Sequence, residues 1–273
     1  VRAALGLVKA ACKCLKGNVL GDLSWYWKAT RHPLMGLVMV VPLLIFYEVG
    51  TLAGAGGAEA RGLRNGADAW VRDWCEQFGN GGHLIPPLLI VAWLFLAALR
   101  RWDSRPERLV STLLGMVLES LALALTLWLF SRLWPDLLKH YGWELQVKGA
   151  GNAENLLQSD PFRAALPLVG AGLYEEFLFR LVSLTVLIGF LGFLGIDTFT
   201  GFFMASLLSA WFFAAAHHWG TNAPPYDGRV FSFRFAAGLI FSGVLAWRGF
   251  GIAVGGHTLY NLLVGLPGSW NHA

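Results

Sequence analysis

The chain has 273 residues, of which 56% are hydrophobic and only 14% charged, and its mean hydropathy is +0.53. Soluble domains carry about 25% charged residues, so this composition excludes an ordinary soluble protein and predicts an all-α, polytopic membrane bundle. The net charge of +4 is no argument for a nucleic-acid partner, because the basic residues gather in short stretches beside apolar runs.

Residues 1–32 read as a basic interfacial arm. Arg2, Lys9, Lys13, Lys16, Lys28 and Arg31 alternate with apolar residues, and Trp25, Tyr26 and Trp27 suit a membrane interface. The arm lacks the unbroken apolar stretch of a cleavable signal, so the first span is expected to direct insertion. Cys12, Cys14 and Cys75 are an odd set that implies no disulfide framework.

Residues 33–160 are expected to form N-terminal transmembrane helices with an external helix and loop. Span one covers Leu34 to Leu52, ended by glycines at 54, 56 and 57. Next, Ala67, Trp70, Val71, Trp74, Cys75 and Phe78 make an apolar stripe, with Arg72, Asp73, Glu76 and Gln77 opposite: an amphipathic helix on the far surface. Span two covers Leu84 to Leu99 and span three Leu109 to Phe130, joined by a turn rich in Arg100, Arg101, Arg105 and Arg108. The basic arm and this turn both fit the cytoplasmic side, which makes the N-terminus cytoplasmic. From Arg132 to Pro161, Pro135, Gly142, Gly149, Gly151 and Asn152 predict a long external loop, anchored at the interface by Trp134 and Trp143.

Residues 161–267 form the second bundle and 268–273 a tail. The apolar run from Phe162 to Ile196 exceeds one ordinary span, so it is divided near Leu181 into two helices. Further spans follow at Phe199 to His218, Phe233 to Trp247 and Gly251 to Leu266, the last opening on a Gly251/Gly255 packing step. The total is about eight. A seven-span alternative keeps Phe162 to Ile196 as one tilted helix with a re-entrant piece. Eight spans bring Glu175, Glu176 and His217 to the cytoplasmic half, with His257 and Asn261 near mid-membrane. Seven reverse the His217 helix and place that histidine at the opposite surface.

Three of these segments hold polar groups one helical turn apart: Glu176 and Arg180, Phe213 and His217, His257 and Asn261. A charged side chain at the centre of a membrane helix costs about 2.5–3.5 kcal/mol on insertion scales, so such groups face protein or a wet cavity and mark candidate sites. Glu176 precedes Arg180 in the order that favours a helical ion pair. Glu175, rotated about 100° from its neighbour, has no such partner on its own helix and is the candidate general base. His217 ends a run of aromatic and small residues that lets another helix approach, whereas His218 points elsewhere. His257 and Asn261 could donate to one oxyanion.

In order, Glu175-Glu176-Phe177-Leu178-Phe179-Arg180, Phe213-Ala214-Ala215-Ala216-His217 and His257-Thr258-Leu259-Tyr260-Asn261 resemble the motifs of the CAAX-protease and bacteriocin-processing (CPBP, or Abi) family. These intramembrane endopeptidases include the Ras-converting CAAX prenyl proteases. The resemblance covers about Pro161 to Pro267. It implies proteolysis near a substrate's carboxyl terminus, with Glu175 and His217 activating water, Glu176 and Arg180 positioning the site, and His257 and Asn261 stabilising the oxyanion. Family members have been described both as metalloproteases and as metal-free glutamate enzymes. The metal-free form is favoured here, with zinc held by Glu175, His217 and His257 as the alternative. The implied partners are membrane lipid and a peptide or protein substrate, lipid-modified in the best-known cases. Two other classes are weighed: a non-enzymatic immunity factor or scaffold that uses the polar cluster structurally, and a proton-coupled transporter, disfavoured by the lack of an internal repeat.

Overall fold

A computed structural model describes residues 24–53, 63–79, 81–142, 161–219 and 225–266. Expectations for Cys12, Cys14, residues 1–23, the glycines at 54, 56 and 57, Trp143, the rest of the loop to Asp160, Pro224 and the tail lie outside these residues.

The described residues are helical, with no strand among them. The main helices are α1 (Pro33–Ala53), α2 (Gly66–Glu76), α3 (Ile85–Arg100), α4 (Leu109–His140), α5 (Pro161–Phe193), α6 (Thr198–Ala216), α7 (Gly228–Arg248) and α8 (Phe250–Gly265). Six are long and apolar enough to cross a membrane: α1, α3 with the turn that precedes it, α4, α5, α6 and α7. The protein is a polytopic helical membrane bundle.

α8 has 16 residues, about 24 Å of helix against a hydrocarbon core of about 30 Å. It is the central element, sheathed by α1, α4 and α5, and its residues from Phe250 to Thr258 are all buried. Small residues make this possible. A Cβ on Gly251 would lie 3.2 Å from the Cα of Gly36 in α1, and one on Gly172 of α5 would lie 2.7 Å from the backbone nitrogen of Thr258. The Gly172 contact presses the middle of α5 against α8, beside Glu175 and His257.

The eight-span division is overturned. α5 runs unbroken past Leu181, because nothing from Leu173 to Ile188 is a glycine or proline that could reverse the chain. It absorbs its length with Pro167 inside the helix and a π-helical stretch over Glu176–Ser183, a widened turn that recurs at functional sites. Reversal comes instead after Phe193, where Gly195 adopts φ +82° and Asp197 caps α6 through the amides of Phe199 and Thr200. α6 is 19 residues long, and as many steps back along α5 from Phe193 reach Tyr174. The hairpin thus delivers His217 to the level of Glu175 without an extra span.

The same topology corrects the expected side. Arg248, Trp27 and the Arg101 carbonyl that contacts His32 cluster at one end of the bundle, with the basic turn. Glu175, Glu176 and His217 lie toward the other end, where α2 sits. α4 also departs from expectation by continuing through Pro135 to His140. Here Trp134 stacks with Phe130 and Phe233 and donates to the Ser232 hydroxyl at 3.1 Å, which holds a segment expected as loop in helical form.

α2 forms as expected, with Asp73, Glu76 and Gln77 exposed, but one member of its charged side, Arg72, is not solvated. Trp70, Trp74 and Phe78 point outward while Asp68 and Arg72 are buried. Arg72 Nε meets Asp68 Oδ1 at 2.5 Å and Nη2 meets Glu48 Oε1 at 2.5 Å, and its Nη1 donates to the His83 carbonyl. Tyr47 donates to Asp68 at 2.7 Å, Tyr174 donates to Glu48 at 2.5 Å, and Arg64 completes the network at 2.8 Å from Asp68. The network ends on Tyr174, the residue before Glu175.

Candidate active site

Glu175, Glu176, Arg180 and His257 are all buried, and His217 is partly so. The structure brings them together from α5, the end of α6 and the middle of α8. Glu175 is the hub. Its Oε1 lies 3.7 Å from His217 Nε2, and its Oε2 lies 3.7 Å from His257 Nε2. These separations exceed a direct hydrogen bond and suit a bridging water. The Asn65 amide, at the N-cap of α2, donates to Glu175 Oε1 at 3.0 Å.

Each imidazole is oriented by its other nitrogen. His217 Nδ1 is 2.7 Å from the Phe213 carbonyl, to which it can only donate, so the neutral ring presents a lone pair on Nε2 toward Glu175. His257 Nδ1 lies 2.8 Å from Glu176 Oε1, and its ring stacks on Phe241 with centroids 4.8 Å apart. Glu176 therefore aims one histidine, as a carboxylate does for a ligand or base imidazole.

The expected Glu176–Arg180 pair is present but long, with Nε 3.5 Å from Oε2. None of the three guanidinium nitrogens of Arg180 has a hydrogen-bond partner. The cation is instead held by aromatic faces, 4.1 Å from the Phe213 centroid and 5.6 Å from that of Phe241. Asn261 lines the same cavity, with Nδ2 3.3 Å from the Leu168 carbonyl. His218 faces Tyr226 and Phe231.

The cavity measures about 480 Å³ and is walled by Leu127, Val230, Phe233 and Phe241 as well as by Glu175, His217, His257, Tyr260 and Asn261. The last residues of α8, Val264 and Gly265, also line it. Among the described residues no three His, Cys, Asp or Glu side chains are gathered so as to hold a metal ion. The two Nε2 atoms approach different oxygens of Glu175 rather than one common point.

Two site residues escape the sequence reading. Arg234 lines the cavity from α7, and a lone cation inside an apolar run is a signal that could have found it. Asn65 carries no comparable signal, since its contact with Glu175 exists only because α2 docks.

Residues 158–263 match the family model described as type II CAAX prenyl endopeptidase, Rce1-like. No curated protein and no solved structure matches the chain. The matched segment contains Glu175, Glu176, Arg180, His217, His257 and Asn261, so this part of the chain is similar to the type II CAAX prenyl endopeptidases of the Rce1-like kind.

Proposed function

We propose that the protein hydrolyses a peptide bond near the carboxyl terminus of a membrane-associated substrate, using water activated by Glu175 and His217 without a resident metal. The observation that carries this reading is the placement of Glu175 between two imidazole Nε2 atoms, each at 3.7 Å, on the wall of a cavity large enough for a peptide. A water between Glu175 and His217 gives up a proton to the carboxylate as its oxygen attacks the scissile carbonyl carbon. The carbonyl π electrons move to oxygen, where Asn261 and His257, its ring steadied by Glu176, supply donors. Collapse of the tetrahedral intermediate breaks the carbon–nitrogen bond, and Glu175 returns the proton to the leaving amine. Arg180 offsets the charge of Glu176.

Lys28, Arg31 and the arginines of the 100–108 turn stand at the end away from the cavity. The positive-inside rule then gives a cytoplasmic N-terminus and a cavity mouth on the opposite side of the membrane. In intact cells, with the native cysteines replaced, an impermeant thiol reagent should label Tyr226→Cys and spare Ser104→Cys; the reverse pattern inverts the topology.

Glu175→Gln should lower cleavage of the processed substrate by about 10²–10⁴-fold, the range for loss of a general base, with unchanged thermal stability in detergent. Activity should persist after exhaustive chelation. Full activity in Glu175→Gln removes that residue from the mechanism, and loss of activity restored by zinc would establish the metal form. A structural scaffold would instead lose stability in Glu175→Gln and His217→Ala while keeping its biological effect.

A further inference from the structure

At the end of the bundle away from Glu175 lies a second hollow of about 490 Å³, within the range of about 300–1,000 Å³ typical of small-ligand sites. Lys28 and Arg31 reach it from the helical stretch at 24–30 and the turn that follows, Arg101 and Ser104 from the end of α3, and Leu245 and Ala246 from the end of α7. The three cations are exposed. Among the described residues none of them forms an ion pair or lies over an aromatic ring, and the acids of the same turn, Asp103 and Glu107, do not pair with them. Other arginines at this end are engaged. Arg248 meets Glu119 at 2.5 Å, while Arg105 and Arg108 lie over Trp102 and Trp25 at 5.0 and 5.4 Å.

The backbone around the hollow is fixed. The Arg101 carbonyl accepts from His32 Nε2 at 2.9 Å and from the Ser104 hydroxyl at 2.9 Å. His32 Nδ1 accepts from the Leu34 amide at 3.2 Å, so its buried, neutral ring joins the start of α1 to the end of α3. Arg31 Nε donates to the Trp27 carbonyl at 3.3 Å, which leaves its two outer nitrogens without a partner among the described residues. Three helices end here: the 24–30 stretch, α3 and α7. Each end carries about half an elementary charge at most, so together they offset about half of the three positive charges.

Depth narrows the anion that supplies the remainder. The hollow lies where α3 and α7 leave the membrane, beside Trp27, Trp102 and Trp247, all exposed as in the aromatic belt at lipid headgroups. Its α7 wall is apolar and faces the same layer. A zwitterionic headgroup would set its own ammonium against three cations, whereas a phosphate without one meets only donors. We propose that this hollow binds the phosphate of an anionic phospholipid, with Arg31 and Arg101 as forked donors, Lys28 as a point charge and the acyl chains left in the bilayer. The bound lipid ties the 24–31 segment to α3 and α7, and it does so whether or not the chain is a protease.

The test is native mass spectrometry of the full chain in an uncharged detergent, titrated with dioctanoyl-phosphatidylglycerol or dioctanoyl-phosphatidylcholine. The wild type should hold phosphatidylglycerol about tenfold or more tighter, the scale of a charge-assisted hydrogen bond. Arg31→Gln combined with Arg101→Gln should bind the two lipids alike. Arg100→Gln combined with Arg105→Gln removes the same charge from outside the hollow and should keep the preference. Equal loss in both double variants means diffuse attraction to a basic surface and overturns the site, as does a wild type that binds both lipids alike or neither. Millimolar inorganic phosphate should leave the complex intact; displacement by it would make the ligand free phosphate and overturn the lipid assignment. Should the Arg31 and Arg101 double variant fail to fold, Arg101→Gln against Arg105→Gln decides in the same way, since only the first should weaken the preference.

Discussion

In residues 161–266 the proposed reacting groups stand on long helices locked by close backbone approach, as at Gly172 against Thr258. Residues 24–142 reach the same centre through Asn65, at the cap of an 11-residue helix held by the Arg72–Glu48 ion pair and the Tyr47–Asp68 hydrogen bond. The two halves thus use opposite means of positioning. Packed helices bring a carboxylate and two imidazoles together through van der Waals contact, which is dense and does not depend on salt, and buried hydrogen bonds then orient the two rings. A docked surface helix depends on a polar network, which stabilises only while every member is paired. The first arrangement holds the proposed reacting groups; the second reaches them from outside the segment that matches the family model.

Three substitutions break or sharpen this contrast. Arg72→Met should have the largest effect, because it removes the buried cation shared by Asp68 and Glu48 and leaves the two carboxylates to Arg64. Breaking a buried pair costs about 3–5 kcal/mol, seen as a lowered unfolding midpoint and as early hydrogen exchange confined to α2. Exchange that is early throughout α5 and α8 would show that the halves are not separable. Asn65→Asp should matter less and differently. It keeps an N-capping oxygen on α2 but sets a carboxylate against Glu175, so kcat should fall by about tenfold or more, the scale of a lost charge-assisted hydrogen bond, with little change in melting temperature. Unaltered turnover would make Asn65 a helix cap and nothing more. The smallest effect belongs to Trp74→Ala. Trp74 is 61% exposed on the outward side of α2, and its loss should shift stability by no more than about 0.5 kcal/mol. A larger drop in detergent would mean that the outward aromatic stripe is an attachment face.

Local pattern along the chain is enough to read the membrane class, the place of most apolar helices and the six polar groups from Glu175 to Asn261, but not the undivided α5 or the extension of α4 to His140. Those follow from local rules: length sets a span, and a spacing of four puts two side chains on one face. The sequence also contained, in the unbroken run around Leu181, the reason why α5 does not divide, but a length criterion alone was misleading there. Which residues of α2 are buried depends instead on contacts between helices. Arg72 reads as part of a solvated face until Glu48 and Tyr174 arrive from other helices to pair with it. The partners of Glu175 are of the same kind. Asn65 and His257 lie 110 and 82 positions away along the chain, and no periodicity links them, because contacts between helices depend on how whole elements cross rather than on spacing within one.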